Sequence, residues 1–312
     1  EVNSMRICRL ELLFSSEENH KLAPFLGSTI RGAFGNVLKD LHCVKEHGRC
    51  SACETRNQCA YTYIFESGWY FATGERIQSG VPQPYVFEPQ VIRNPESGKS
   101  QLKLGLILFG NSIEHLPSIL ECLIILGLKG IGKYRIPYIL KEVKDIFSGQ
   151  TIWSGDMVKL ISSPYSKTWQ DYQEQASQLG TVNRCQIHII TPLRVKSEGH
   201  LSNELKFSTI FKAIVRRWSL LNKYYGSGEK EDLTELVNQS SKIPSGTLNL
   251  RWREMERYSR RQDQRMLLGG LVGIMECEGE ITPFLPWLLL GQDIHIGKNT
   301  SFGLGGYRLK NL

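Results

Sequence analysis

Apolar and polar residues alternate over residues 5–14, which predicts a strand with one buried face. The period then changes. Ile30, Ala33, Phe34, Val37, Leu38 and Leu41 recur at three- and four-residue intervals, so a helix capped by Ser28 and running to about His42 is predicted. Residues 85–92 and 102–109 return to strand composition, separated by the turn-forming Asn94-Pro-Glu-Ser-Gly98. Asn111 or Ser112 can cap a second helix to Leu126, and a glycine loop then leads into a strand over 135–146. The order strand, helix, strand, strand, helix, strand is the ferredoxin-like arrangement.

The second half repeats this order. Residues 185–191 alternate as a strand, and Phe207, Ile210, Phe211, Ile214, Trp218, Leu221 and Tyr225 form one face of a long helix. Residues 248–258 and 267–277 read as strands, 283–290 as a short helix and 304–309 as the last strand. The polar stretch 148–182 reads as a connection with at most short structure. The expected architecture is α+β, with two tandem ferredoxin-like (βαββαβ, RRM-like) domains at 1–147 and 183–312 and a glycine-rich loop near the C-terminus. Gly130-Ile-Gly-Lys-Tyr134 and Gly303-Leu-Gly-Gly-Tyr307 match in their glycines, apolar residue and tyrosine, as two copies of one supersecondary unit would.

Composition narrows the functional classes. Over 312 residues, 41% hydrophobic and 22% charged content is that of a globular chain, and a net charge of +7 favours a polyanionic partner. No uninterrupted apolar run is long enough to span a bilayer, and no secretion signal is evident, so a cytoplasmic protein is expected. Four of the eight cysteines lie between Cys43 and Cys59, which suits one local site better than a disulfide framework.

Glycine loops flanked by Lys and Arg let backbone approach a phosphate chain closely. Two familiar phosphate motifs fail on spacing. Gly291 to Gly297-Lys298-Asn299 has one residue too many and no Ser or Thr for a Walker motif, and Gly127, Gly130 and Gly132 follow a helix in the wrong order for a dinucleotide fingerprint. No acidic cluster points to a two-metal nuclease.

The chain resembles the RAMP superfamily of CRISPR-associated RNA-binding proteins, and within it the endoribonucleases that mature precursor crRNA. The likeness rests on Gly27-Ser-Thr-Ile-Arg-Gly-Ala-Phe-Gly35, the four-cysteine stretch ending in Cys59-Ala-Tyr61, Leu108-Phe-Gly110, Thr191-Pro-Leu-Arg194, Arg257-Tyr-Ser-Arg-Arg-Gln262, Gly269-Gly-Leu-Val-Gly273 and residues 295–308. These segments occur in the family's order across nearly the whole chain. The resemblance implies a prokaryotic protein that binds CRISPR repeat RNA as a monomer or homodimer, beside effector-complex subunits, with no membrane. It also implies a cut without a metal cofactor, in which an RNA 2′-hydroxyl attacks the adjacent phosphate and leaves 2′,3′-cyclic phosphate and 5′-hydroxyl ends. The alternative is a non-catalytic subunit that only holds crRNA.

Such chemistry needs a proton acceptor, a proton donor and cations, and histidine suits the first two. The resemblance implies an active histidine just after the first helix, where His42 and His47 flank Lys45. His295, just before the loop's Gly297-Lys298, is the other contender. Expected RNA contacts are Arg31, the arginine-rich run Arg251, Arg253, Arg257, Arg260 and Arg261, and Lys298, Ser301, Gly303, Gly305 and Arg308 in the terminal loop. Cys43, Cys50, Cys53 and Cys59 could hold a structural zinc, favoured over an iron–sulfur cluster; the alternative is four reduced thiols.

Overall fold

A computed structural model describes residues 5–18, 22–44, 48–93, 100–155, 159–197, 200–201, 205–229, 231–259 and 264–312. The chain divides into two compact units, one of Arg6–Ser166 with Tyr224–Gly226, the other of Lys167–Lys223 and Ser227–Leu312 with Met5. The elements of the first unit are β1 (Ile7–Ser16), α1 (Gly27–His42), the short helices α2 (Ala60–Ile64) and α3 (Ser67–Tyr70), β2 (Tyr85–Arg93), β3 (Ser100–Phe109), α4 (Leu116–Lys129), β4 (Ile139–Asp145) and β5 (Thr151–Ser154).

Their sheet has the order β2–β3–β1–β4–β5, the ferredoxin-like arrangement with one strand added beside β4. The alternation read in β1 places Leu10, Leu12 and Phe14 in the core. From α1, Phe34 sets its ring against Tyr85 and Phe87 of β2, with centroids 5.6 and 5.2 Å away. Ser28 does not cap this helix. Leu26 precedes it, no side chain caps it, and burial of Ile30, Phe34, Val37 and Leu38 sets its position instead. Ser112 does cap, its hydroxyl accepting from the Phe109 N–H at 3.1 Å, but it opens a 3₁₀ turn over Gly110–His115 that leads into α4. Gly110–Lys129 is long and apolar enough to cross a membrane; here Ile119, Leu123 and Leu126 are buried within the protein.

The second unit contains α5 (Trp169–Gln178), β6 (Arg184–Leu193), β7 (Lys196–Ser197), β8 (His200–Leu201), α6 (Phe207–Tyr225), α7 (Thr234–Ser240), β9 (Ser245–Thr247), β10 (Arg251–Arg253), β11 (Glu256–Ser259), β12 (Gln264–Leu267), β13 (Gly270–Glu278), α8 (Leu285–Ile294) and β14 (Tyr307–Lys310). The sheet order β10–β13–β6–β14, with β9 also on β13, is again ferredoxin-like. All seven predicted apolar residues of α6 are buried.

Two expectations differ from the structure. The polar stretch 148–182 holds β5 and the ten-residue α5. Thr168 and Asp171 close a capping box at the start of α5, and Trp169 packs on Trp287 at 4.3 Å, so one aromatic and a cap compensate for a mostly polar helix. The single strand expected over 248–258 is divided: β10 pairs with Gly270–Val272 of β13, whereas β11 pairs with β12.

Phe211 lies in the middle of the second core, 5.0 Å from Phe284 and 6.5 Å from Trp287 between ring centroids. Phe211→Ala is expected to lower stability by roughly 3–5 kcal/mol, whereas Lys212→Ala, exposed on the same helix, should change it by less than about 0.5 kcal/mol. Urea unfolding of both variants checks this.

Candidate functional site

The last turn of α1 carries the basic residues Lys39 and His42, at the negative end of the helix dipole. The helix stops because Cys43 turns extended, its N–H still bonded to the Lys39 carbonyl at 2.8 Å. His42 is thereby held half-buried at a helix end. Its Nε2 is enclosed and has no hydrogen-bond partner among the described residues. Lys45 and His47 lie outside the described residues.

A second imidazole stands near it, and sequence reasoning missed it. His115 ends the 3₁₀ turn before α4, and burial, followed by the charge of His42, holds it below the usual histidine range. Tyr63 of α2 packs on this ring at 5.5 Å between centroids, and burial raises its phenol well above the ordinary range. Three separate segments thus bring two histidines and a tyrosine together. A lone histidine preceding a Leu-Pro helix start gave no local sign of this, since the association is made only by tertiary packing.

Arg31, one turn into α1, lies over the Phe65 ring at 4.0 Å and is half-buried. Its charge opposes the effect of burial on Tyr85, whose phenol still stands at about 12. The guanidinium therefore ties α1 to the segment after α2.

The cysteines expected to hold a structural zinc, Cys43, Cys50, Cys53 and Cys59, are half-buried and form no disulfide, and among the described residues no group of three or more His, Cys, Asp or Glu is placed to hold a metal ion. Burial and then Glu66 push the Cys50 thiol up to about 11, with Cys43 and Cys59 adding to the rise, so it is protonated near neutrality. Cys53 Sγ lies 3.5 Å from Thr55 Oγ1.

In the second unit, three motifs that are distant in sequence meet. The terminal loop is bonded to the end of β6 through Gly305 N–H to Pro192 O at 3.1 Å, Gly306 N–H to Thr191 Oγ1 at 2.8 Å and Lys298 N–H to Arg194 O at 3.0 Å. Arg194 in turn donates to the Gly269 carbonyl at 2.6 Å. Gly305 has φ +75, and a Cβ there would collide with the Ile296 carbonyl, so only glycine lets the loop fold back.

This packing corrects the reading of the loop as open backbone. His295 is 0% exposed, with Nδ1 3.0 Å from the Leu304 carbonyl, and Ser301, Gly303 and Gly305 are buried as well. Arg308 is half-buried and donates to the carbonyls of Gln292 and Tyr307 at 3.3 and 3.0 Å. Gly297 and Lys298 form the exposed tip. Arg251 and Arg253 are exposed on β10, flanking Trp252, whose indole N–H is bonded to Glu254. Arg257 lies on β11, and Arg260 and Arg261 fall outside the described residues.

Residues 5–165 match the AF_1859_N family, described as an N-terminal domain, and residues 187–307 match the family of the CRISPR-associated endoribonuclease Cas6. An uncharacterized protein of Archaeoglobus fulgidus is 26% identical over 314 residues, covering 99% of each chain. The fold is similar to a Cas6 product complex, at 12% identity and a TM-score of 0.58 over 97% of this chain and 99% of that one. It is also similar to Thermus thermophilus Cas6, at 13% identity and a TM-score of 0.54 over 99% and 100% of the two chains. Two ferredoxin-like units in tandem are thus this chain's architecture and theirs, and the domain that carries its terminal loop, residues 187–307, is the part that matches the Cas6 endoribonuclease family.

Proposed function

We propose that this chain cuts CRISPR precursor RNA within the repeat, by attack of a ribose 2′-hydroxyl on the adjacent phosphate. The observation that supports this most is the His42–His115–Tyr63 group, two imidazoles whose charges oppose one another at the end of α1. The charge of His42 adds to burial in holding His115 below the usual histidine range, so the pair resists carrying two positive charges together. His42 is the proposed general base, its Nε2 having no hydrogen-bond partner among the described residues. The phosphate becomes a 2′,3′-cyclic diester and the departing 5′-oxygen takes a proton, which leaves a 5′-hydroxyl. Imidazoles supply the proton transfers, so the reaction needs no divalent cation. Lys298, Arg251 and Arg253 are exposed cations suited to the RNA backbone.

His42→Ala should lower single-turnover cleavage of labelled repeat RNA by roughly 10²–10⁴-fold while leaving affinity nearly unchanged. Wild-type cleavage should persist in EDTA. Repeat RNA that is bound but left intact by the wild-type protein would establish the non-catalytic role instead.

The histidine pair has a separate signature. His42→Gln removes a positive neighbour that holds His115 down, so the His115 titration should move up towards the usual histidine value while staying below it, since burial remains. Proton NMR of the imidazole Cε1–H follows this directly. His295→Ala should behave differently from both. Losing its bond to the Leu304 carbonyl costs about 1–3 kcal/mol, read as a lower melting temperature.

A further inference from the structure

The first glycine loop is built unlike its C-terminal counterpart. Gly130, just after α4, has φ +88, and a Cβ there would collide with the Arg135 backbone. Ile131 and Ile136 exchange backbone hydrogen bonds, at 2.7 and 3.2 Å, and so close a hairpin around Gly132-Lys133-Tyr134-Arg135. Both isoleucines are buried. Tyr138, two residues on, is fully buried with its hydroxyl 2.8 Å from Ser100 Oγ. On this anchored base the three residues Lys133, Tyr134 and Arg135 are consecutively exposed.

Tyr134 is 67% exposed, and Lys133 Nζ stands 5.6 Å from its ring centroid. Arg135 adopts φ +49, a left-handed conformation that a side-chain-bearing residue rarely takes. The comparison with the second unit separates structural tyrosines from this one. Tyr307 opens β14, is buried, and donates its hydroxyl to the Leu288 carbonyl at 2.7 Å. In the first unit that position before the last ferredoxin strand is filled by Tyr138, so the alignment of Tyr134 with Tyr307 is replaced by one with Tyr138, and Tyr134 has no corresponding core role. Among neighbouring charges, Lys129 is engaged 3.4 Å from Asp40, whereas Lys133 and Arg135 extend from the hairpin tip.

We propose that Lys133-Tyr134-Arg135 is a contact for single-stranded RNA, with Tyr134 stacking on an unpaired base and the two cations meeting the flanking phosphates. An exposed ring offers a π-face to any base, and the adjacent cations follow the backbone. Two like charges beside one exposed ring suit a polyanionic partner that offers bases to stack. The inference rests on RNA being the substrate.

Fluorescence anisotropy on the full chain with labelled, unpaired repeat RNA tests it, with single-turnover cleavage measured in parallel. Tyr134→Ala should weaken binding roughly 5- to 100-fold. Tyr134→Phe, which keeps the ring, should bind as the wild type does. Lys133→Ala and Arg135→Ala should each reduce the slope of log affinity against log salt by roughly 0.7, and Tyr134→Ala should leave that slope unchanged. Wild-type affinity in Tyr134→Ala overturns the proposal and leaves the loop to a protein surface. Loss in Tyr134→Phe equal to that in Tyr134→Ala assigns the effect to the hydroxyl and overturns stacking. Should the wild type fail to cut repeat RNA, the endonuclease reading fails by itself, and the same variants on an unrelated single-stranded RNA still decide the loop's role.

Discussion

Hydrogen bonding between the loop of residues 295–306 and the end of β6 is the constraint on which the second unit's architecture depends. Without Gly305 N–H on Pro192 and Gly306 N–H on Thr191 Oγ1, β14 would have no fixed register against β6. The same loop encloses His295. Glycine is needed there because backbone must approach backbone, and any side chain would force the segments apart. A loop that looks from its composition like a ligand cradle is therefore first a structural joint. Only its Gly297-Lys298 tip remains open to solvent.

The outline of the fold was legible in the sequence because its elements are strongly patterned. In α6 the apolar face recurs over nineteen residues, and each predicted contact is buried. In β1 the alternation of apolar and polar residues pointed to Leu10, Leu12 and Phe14 as the buried face. The reading failed where stability comes from a few side chains instead of a period. Helix α5 has Trp169, Tyr172 and Ala176 towards the core and a capping box at its start, too little apolar content to show against its polar neighbours. The strand expected over 248–258 failed for another reason: pairing to a partner strand cannot be read from one segment alone.

The candidate site divides similarly. His42 was legible because a helix end is a local feature, and the family resemblance drew attention to it. His115 was not, since its role depends on α1, α2 and the turn before α4 meeting in space. The cysteine spacing says nothing about convergence, and among the described residues no three metal-ligating side chains meet. In the fold, Cys53 lies beside Thr55 and burial keeps Cys50 protonated.

Strand β14 follows β6 at a long separation in sequence, yet it covers one edge of β6, an inner strand of its sheet. A ribosome delivers β6 well before it delivers β14. Throughout that interval one side of a mostly apolar strand, with Ile187 and Ile189 on its inner face, has unpaired amides and carbonyls. Such an edge accepts any extended peptide that reaches it, including the same strand of a second nascent chain. For this architecture the vulnerable period comes during synthesis, before β14 emerges and closes the sheet.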